Sequence, residues 1–474
     1  MLSRRHRRAR NILLAIGLAL ALGLGAFALY AWESEIPPVA TAPDDFPEDL
    51  VRRGAALSAV GNCAVCHTSD DGAAYAGGYT METPFGTIYS TNITPDPETG
   101  IGAWSEAAFV RAMREGVNRE GQHLYPAFPY HFFARTTDED LRALYAYLMT
   151  LDPVHQAARD NDLWFPLGFR PLLAGWKLLF HRDRDFTADP TQDVAWNHGA
   201  YLVDGLAHCG ACHMPMNPLG APQRRDGLSG GETENWIAPA LNAANPSPRH
   251  WDEESLFTYL TEGRHFSHSA AAGPMRPVVT SLQGAATEDI RAMARHIGSL
   301  SPDPMPLAQD APRAYLPRRA VLQDDATAIT TPMGQRPAAP RGDLLHTGLC
   351  ASCHVEADPQ ILDWPRLSQA TALYLDDPAN LIRVILGGVG SVDDPPDRFM
   401  PAFRIDDSEL AALLDYLRTD LAGQPAWDNL DAAIADAREE EPDIDVNGDA
   451  AGPATDVDAA ATSPGDWTQQ GADR

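Results

Sequence analysis

The chain has 474 residues and a mass of 51.3 kDa, room for about three domains of ordinary size. Hydrophobic residues make up 44% of it, enough for packed cores, and the formal charge is −29. A polyanion of this size is repelled by a phosphate backbone, which excludes a nucleic-acid partner.

The chain opens with Arg4, Arg5, Arg7, Arg8 and Arg10, then runs apolar and uncharged from Ile12 to Trp32. At about 1.5 Å per residue that run crosses a hydrocarbon core of about 30 Å. The arginines before it keep the N-terminus in the cytoplasm and put the rest of the chain on the far side. Residues 1–32 are therefore read as a basic end and membrane anchor. The alternative is a cleaved signal peptide, with Ala26-Phe27-Ala28 as its processing site. The run continues past that site, which favours the anchor.

All six cysteines fall in three pairs: Cys63-Ala-Val-Cys66-His67, Cys209-Gly-Ala-Cys212-His213 and Cys350-Ala-Ser-Cys353-His354. C-x-x-C-H is the attachment signature of a c-type haem. Each thiol adds across one vinyl group, and the adjacent histidine lies under the ring as the proximal iron ligand. A disulfide framework leaves the three histidines unexplained, a thioredoxin-like motif needs a βαβ context, and zinc sites built from two halves leave a pair over. Three covalent haem c groups are expected, on Cys63, Cys66, Cys209, Cys212, Cys350 and Cys353, with His67, His213 and His354 on the irons.

Segments 46–151, 194–301 and 341–421 repeat one plan. A lead-in helix carries Gly54, Gly199 or Gly342. C-x-x-C-H, a loop region, a middle amphipathic helix, a ligand loop and a terminal helix follow. The terminal helices are predicted over Asp138–Leu151, Thr287–Leu300 and Asp407–Leu421, each with i, i+3, i+4 apolar spacing behind an acidic first turn. With its C-x-x-C-H motif, this plan resembles that of the small all-α cytochrome c domain, and the resemblance implies that fold for each repeat. The fold class is thus all-α: three tandem cytochrome c-type domains behind an N-terminal transmembrane helix.

Between the first two repeats, 152–193 is too apolar for a free linker and either wraps over those domains or faces a partner. Its stretch from Leu163 to Phe180, with Trp176 and Phe180, is a candidate partner or quinone contact. Lys177 is the only lysine in the chain, which reads as a compositional bias toward arginine. Residues 302–340 are Pro-rich and aperiodic, an extended connector. From Asp428 to the end stand thirteen acidic residues and two arginines, so 428–474 is read as an acidic disordered tail.

A second axial ligand closes a haem for electron transfer, whereas an open face admits substrate. Gly116, Gly263 and Gly388 end the middle helices, and twelve residues beyond them lie Phe128, Met275 and Met400. Trp104 and Trp251 keep the same register, twenty-four residues before Phe128 and Met275. Met275 and Met400 are the expected sixth ligands of the second and third haems. Phe128 cannot bind iron, so His131 or His123 is the candidate at the first haem, the alternative being an open iron. Met113 and Met149 read as core.

Other residues carry a family likeness. Gly86-Thr87-Ile88-Tyr89-Ser90-Thr91-Asn92-Ile93-Thr94-Pro95-Asp96 resembles the loop after the first haem in trihaem cytochrome c subunits of membrane-bound bacterial dehydrogenases. So do Leu124–Tyr130, the stretch from Trp196 to Val203, and Gly230-Gly231 followed by Trp236-Ile237-Ala238-Pro239. The likeness covers roughly Pro47 to Leu421. Such subunits partner alcohol, gluconate, sorbitol, fructose or aldehyde dehydrogenases, or molybdenum hydroxylases. The resemblance implies a catalytic dehydrogenase partner of flavin, quinoprotein or molybdenum type. It also implies passage of electrons to ubiquinone or another cytochrome, and a place at the bacterial inner membrane with the haem domains in the periplasm. Phe at position 128 is associated with the molybdenum-hydroxylase branch.

No nucleotide-binding glycine motif, nucleophile motif or metalloprotease helix is present, so haem is the whole chemical equipment. The expected role is a membrane-anchored electron relay. The competing readings are a haem peroxidase-like enzyme with an open first haem, a terminal-oxidase cytochrome subunit, and a free carrier.

Overall fold

Three helix pairs carry the architecture, and each closes on one of the three repeated glycines. In the computed structural model, which describes residues 4–39, 45–181, 185–301, 341–354, 365–390 and 399–440, the lead-in helix Glu48–Val60 packs on the terminal helix Asp138–Met149. Val194–Asp204 packs on Thr287–Gly298, and Gly342–Leu345 on Asp407–Tyr416. A Cβ built on Gly54 would lie 1.9 Å from the Ala143 carbonyl oxygen. One on Gly199 would lie 1.9 Å from that of Ala292, and one on Gly342 2.1 Å from that of Ala412. Only glycine lets these backbones cross so closely.

The terminal helices start where the acidic turns place them. The Thr137 and Asp406 side chains accept from the Asp140 and Glu409 amides, and the Asp406–Glu409 cap is reciprocal. The third ends in a wider π turn, Leu417–Leu421. The middle helices are Glu106–Glu115, Glu253–Glu262 and Ala379–Gly387. The first two stop at Gly116 and Gly263 in the left-handed conformation, φ 62° and 79°.

The fold is mostly helical but not all-α. After the first C-x-x-C-H, Thr80–Thr83 and Gly86–Tyr89 form an antiparallel hairpin, and Asp162–Leu163 adds a third strand to it. After the second, Gly231–Thr233 pairs with Trp236–Ala238 across Glu234 and Asn235, both at positive φ (48° and 63°). A two-residue turn of that kind matches strand twist, so a segment too short to show periodicity still closes a hairpin.

The first two repeats share one hydrophobic core, running from Leu57 and Leu144 through Leu202 and Leu206 to Met293; Met113 and Met149 lie in it. Arg53 ties their terminal helices together, with Asp140 at 3.2 Å and Asp289 at 2.6 Å, and Asp289 also takes a 2.6 Å hydrogen bond from His198. The third repeat has its own core around Ile382, Leu410 and Leu414.

Two expectations change. The tail does not begin unstructured at Asp428: Leu430–Glu440 is a helix whose Ala433, Ile434 and Ala437 are buried on the third core. Those residues make one apolar stripe, which a count of acidic residues hides. Residues 441–474, like the connector 302–340, lie outside the described residues. The segment after the first repeat is ordered over the described residues 152–181 and contains the helix Leu172–Phe180. Lys177 is more than a compositional accident: it is buried, and its ammonium donates at 2.7 Å to the Glu115 carbonyl at the end of a middle helix.

Candidate functional site

Each C-x-x-C-H stands on a single tight turn. Cys63–Cys66 is one helical turn, and the backbone N–H of His67 donates to the Cys63 carbonyl at 3.0 Å. The same bond recurs from His213 to Cys209 and from His354 to Cys350, each 2.9 Å. Residues three apart on such a turn share a face, so both sulfurs and the following ring are presented together. The residue before the first cysteine is left-handed in two repeats, Asn62 at φ 55° and His208 at φ 39°. None of the six cysteines is in a disulfide.

The histidines are oriented alike. Nδ1 of His67 lies 2.6 Å from the Thr91 carbonyl, Nδ1 of His213 2.7 Å from that of Pro239, and Nδ1 of His354 2.8 Å from that of Pro365. A carbonyl accepts only, so each Nδ1 carries the proton and Nε2 carries the lone pair, the tautomer a metal-binding imidazole needs. Burial pulls His67 and His213 below the ordinary histidine value and keeps them neutral. It pushes the Cys66 and Cys350 thiols up to about 11 and Cys209 up to about 12, unlike the lowered thiols of redox-exchange motifs.

These accepting carbonyls were not legible in the sequence, and two glycines stand beside them. The Gly77 amide donates to the His67 carbonyl at 2.8 Å and that of Gly230 to the His213 carbonyl at 3.0 Å. Both glycines have positive φ, and a Cβ on Gly77 would meet the Thr91 backbone at 2.4 Å.

The second motif opens into a cavity that its own repeat walls with Cys209, Cys212, His213, Trp236, Met275 and Met293. Met275 starts a helix, Met275–Leu282, and shares this cavity with His213. Two thiols, an imidazole and a thioether lining one largely apolar cavity fit a haem c. The cavity is not closed by the second repeat alone. Val60 and Asn62 come from the first repeat, and Thr371, Leu375, Asn380 and Val384 from the third. The first motif is adjacent. A Cβ on Gly61 would meet Leu206 at 3.2 Å and Cys63 Sγ at 3.4 Å, and Tyr79 donates to Glu234 at 2.7 Å. On the other side, Asn380 both accepts from the Ile237 amide at 2.9 Å and donates to its carbonyl at 2.8 Å.

The ligand loops differ. Backbone bridges pair Val117 with His123 and Arg264 with Ala270, but Val389 with Met400. The third loop thus has five more residues between its bridge ends, and the ungapped register that put Phe128, Met275 and Met400 in one column does not hold in the backbone. Met400 stands in the bridge, where the other repeats have His123 and Ala270. In the first repeat, the Phe128 ring packs on Tyr130 and Phe133. His123 is turned away, its Nε2 3.0 Å from the carbonyl of Ala31. His131 is buried against Phe132 and Trp176, with neither ring nitrogen bonded to protein among the described residues.

Comparison with known proteins agrees with these features. The family model for cytochrome c matches residues 51–152 and 339–420. One of the subunits of nicotinate dehydrogenase from Pseudomonas putida is 43% identical over 426 residues, covering 88% of this chain but 34% of that protein, so the chain spans about a third of that relative. The gluconate 2-dehydrogenase cytochrome c subunit of Pantoea cypripedii is 37% identical over 426 residues, 85% of this chain and 90% of that protein. The fructose dehydrogenase cytochrome subunit of Gluconobacter japonicus is 34% identical over 417 residues, 83% and 84% of the two chains.

Proposed function

The chain belongs to the family of cytochrome c subunits of bacterial dehydrogenases, whose covalent haem c serves electron transfer, and from that premise we propose a membrane-anchored relay of three haems. Cys63 with Cys66, Cys209 with Cys212, and Cys350 with Cys353 each hold one haem, and His67, His213 and His354 bind the irons through Nε2. Bound haem c supplies a one-electron iron couple. Met275 and Met400 are the sixth ligands of the second and third haems. Phe128 brings no donor, and His131 remains the proposed sixth ligand of the first.

The observation that carries this reading is the second cavity, walled by residues of all three repeats. A redox centre there has a neighbour on each side, the arrangement a relay needs. The apolar lining keeps water out and lowers the cost of reorganisation on electron exchange. The Thr91, Pro239 and Pro365 carbonyls hold the imidazoles in place.

Arg10–Tyr30 is 21 residues of exposed, uncharged helix beyond its first arginine, long enough to cross a bilayer. Residues 31–39 are strapped to the first repeat: Ile36 donates to the Arg119 carbonyl at 2.9 Å, Val39 to that of Ala103 at 3.0 Å, and Glu35 pairs with Arg119 at 3.1 Å. In a retained anchor, such a strap holds the first repeat close to the end of the span on the periplasmic side. A dehydrogenase partner delivers the electrons, and ubiquinone or another cytochrome takes them. The identity of 43% to the nicotinate dehydrogenase chain supports a partner that oxidises a nitrogen heterocycle.

Purification of the tagged chain from detergent-solubilised membranes tests this. A dehydrogenase subunit should come with it, and that subunit's substrate should reduce the haems and then added ubiquinone. A chain that comes out alone, with haems no substrate reduces, would overturn the reading.

A further inference from the structure

The apolar segment between the first two repeats is held from one side only. The Tyr125 hydroxyl donates to the Leu167 carbonyl at 3.2 Å, Arg170 to the His123 carbonyl at 3.0 Å, and Trp176 through its indole N–H to the Leu219 carbonyl at 2.9 Å. With Lys177 on Glu115, every one of these polar ties points into the first two repeats. Trp176 is therefore a half-buried inward anchor, edge-on to Tyr130 and tilted against Phe180 at 6.2 and 5.4 Å between ring centres. The outward side is apolar: Trp164, Phe165, Phe169, Leu172, Leu178 and Leu179 are all exposed, Phe165 at 98% and Leu178 at 65%. Leu219 of the second repeat is exposed beside them.

The position of this face relative to the N-terminal helix says what covers it. A Cβ on Gly175 would lie 3.6 Å from the Phe27 ring. Phe27 is three residues, about 4.5 Å, before the end of the helix at Tyr30. The span of 21 residues is about 31 Å long and has no slack against a hydrocarbon core of about 30 Å. Contact at Phe27 therefore sets the helix Leu172–Phe180 at the outer edge of the hydrocarbon, level with the exposed aromatic pair Tyr30 and Trp32. At that depth the neighbour of an exposed leucine is lipid.

We propose that residues 164–180 form a second membrane contact, an interfacial platform that lies in the outer boundary of the bilayer and seats the first two repeats directly on the lipid surface. The proposal rests on the reading of Arg10–Tyr30 as a transmembrane anchor. A helix held in this way buries its exposed leucines among acyl chains without spanning the membrane. The strap at 31–39 and the Phe27–Gly175 contact act as two points of a rigid mount. The haem domains then keep one orientation and do not swing on a tether.

Photolabelling of the full chain tests this. The protein is reconstituted into liposomes of phosphatidylcholine and phosphatidylglycerol doped with a phosphatidylcholine that carries a diazirine near the glycerol ester. Adducts are mapped by peptide mass spectrometry. The expected result is labelling of the peptides around 160–170 and 178–181 as well as the N-terminal span. Val194 and Leu344, which are equally exposed, should stay unlabelled. Labelling confined to the N-terminal span would overturn the platform and leave the anchor standing. Absence of labelling from both would overturn the anchor itself, and the platform with it. Even labelling of all exposed apolar residues would also overturn the platform. In the Leu178→Ser, Leu179→Ser double variant, whose sites are 65% and 63% exposed, adducts on that helix should be lost while the haem spectrum is kept.

Discussion

The first two repeats and the third follow the same plan but are built into the molecule differently. Repeats one and two are fused: one core runs through both, and Arg53 reaches from the first lead-in helix to carboxylates on both terminal helices. The third has its own core, closed by the helix Leu430–Glu440, and meets the second through backbone-directed bonds such as those of Asn380. Two repeats welded together keep a fixed separation. A third docked by polar contacts shares a cavity wall with the second while folding on its own hydrophobic cluster. Identical local sequence logic thus yields different assembly, and the difference lies in residues outside the C-x-x-C-H motifs.

The sharpest way to break the contrast is at the crossing glycines. Gly199→Val puts a Cβ 1.9 Å from the Ala292 carbonyl oxygen, forces the helices apart and is expected to cost about 4 kcal/mol, at the severe end for single substitutions. Calorimetry should show the shared transition of the first two repeats collapsing while that of the third keeps its midpoint. Gly342→Val should do the reverse, and a single transition shifted by both would contradict independent cores.

Next in size is the Arg53 cluster. Burial works against the Asp289 carboxylate, yet the His198 hydrogen bond and the Arg53 charge outweigh it, so the carboxyl sits below its ordinary value. A lowered carboxyl contributes stability that is present above the unfolded value of about 3.9 and lost as pH falls through the folded one. Arg53→Met should cost about 2–3 kcal/mol, discounted because Arg53 is one-third exposed while Asp289 is buried. It should also start acid unfolding of the fused pair at a higher pH than in the wild type, with the third transition unmoved.

A smaller effect, confined to the other region, is expected from Arg418. Its guanidinium donates to the carbonyls of Leu373, Leu375 and Pro425 and lies 4.7 Å over Trp427. Arg418→Ala removes the donor to the buried Leu373 carbonyl, while Leu375 keeps the Trp427 indole, and should lower only the third transition, by about 1–3 kcal/mol. The smallest is Asn380→Ala, which removes two bonds worth about 1 kcal/mol each from the seam. Neither core should lose stability. Electron exchange between the second and third haems, followed by flash reduction, should slow.

The repeated skeleton was legible because it is local. Three lead-in glycines, three acidic first turns and three C-x-x-C-H motifs each state their structure within a few residues, and the first and third terminal helices begin where their caps, Thr137 and Asp406, stand. What stayed hidden depends on distant partners. Nothing near Thr91, Pro239 or Pro365 announces a carbonyl aimed at an imidazole. Lys177 reads as a compositional remnant in the sequence, yet its ammonium meets the end of a helix sixty-two residues earlier in the chain. The bridge register departs at Met400 because the third loop is five residues longer between its bridge ends and five shorter from bridge to methionine, which leaves the count from glycine to methionine unchanged. The helix at 430–440 was masked by its charge, though Ala433, Ile434 and Ala437 already drew an apolar stripe.

The central claim is that three haems stand in one chain, the middle one between the others. The most direct test is the intact mass of the full-length chain purified from membranes. The account predicts three covalent haem additions in the wild type and two after Cys350→Ser with Cys353→Ser, with the fused pair still folded. A wild-type chain carrying only two haems would contradict it.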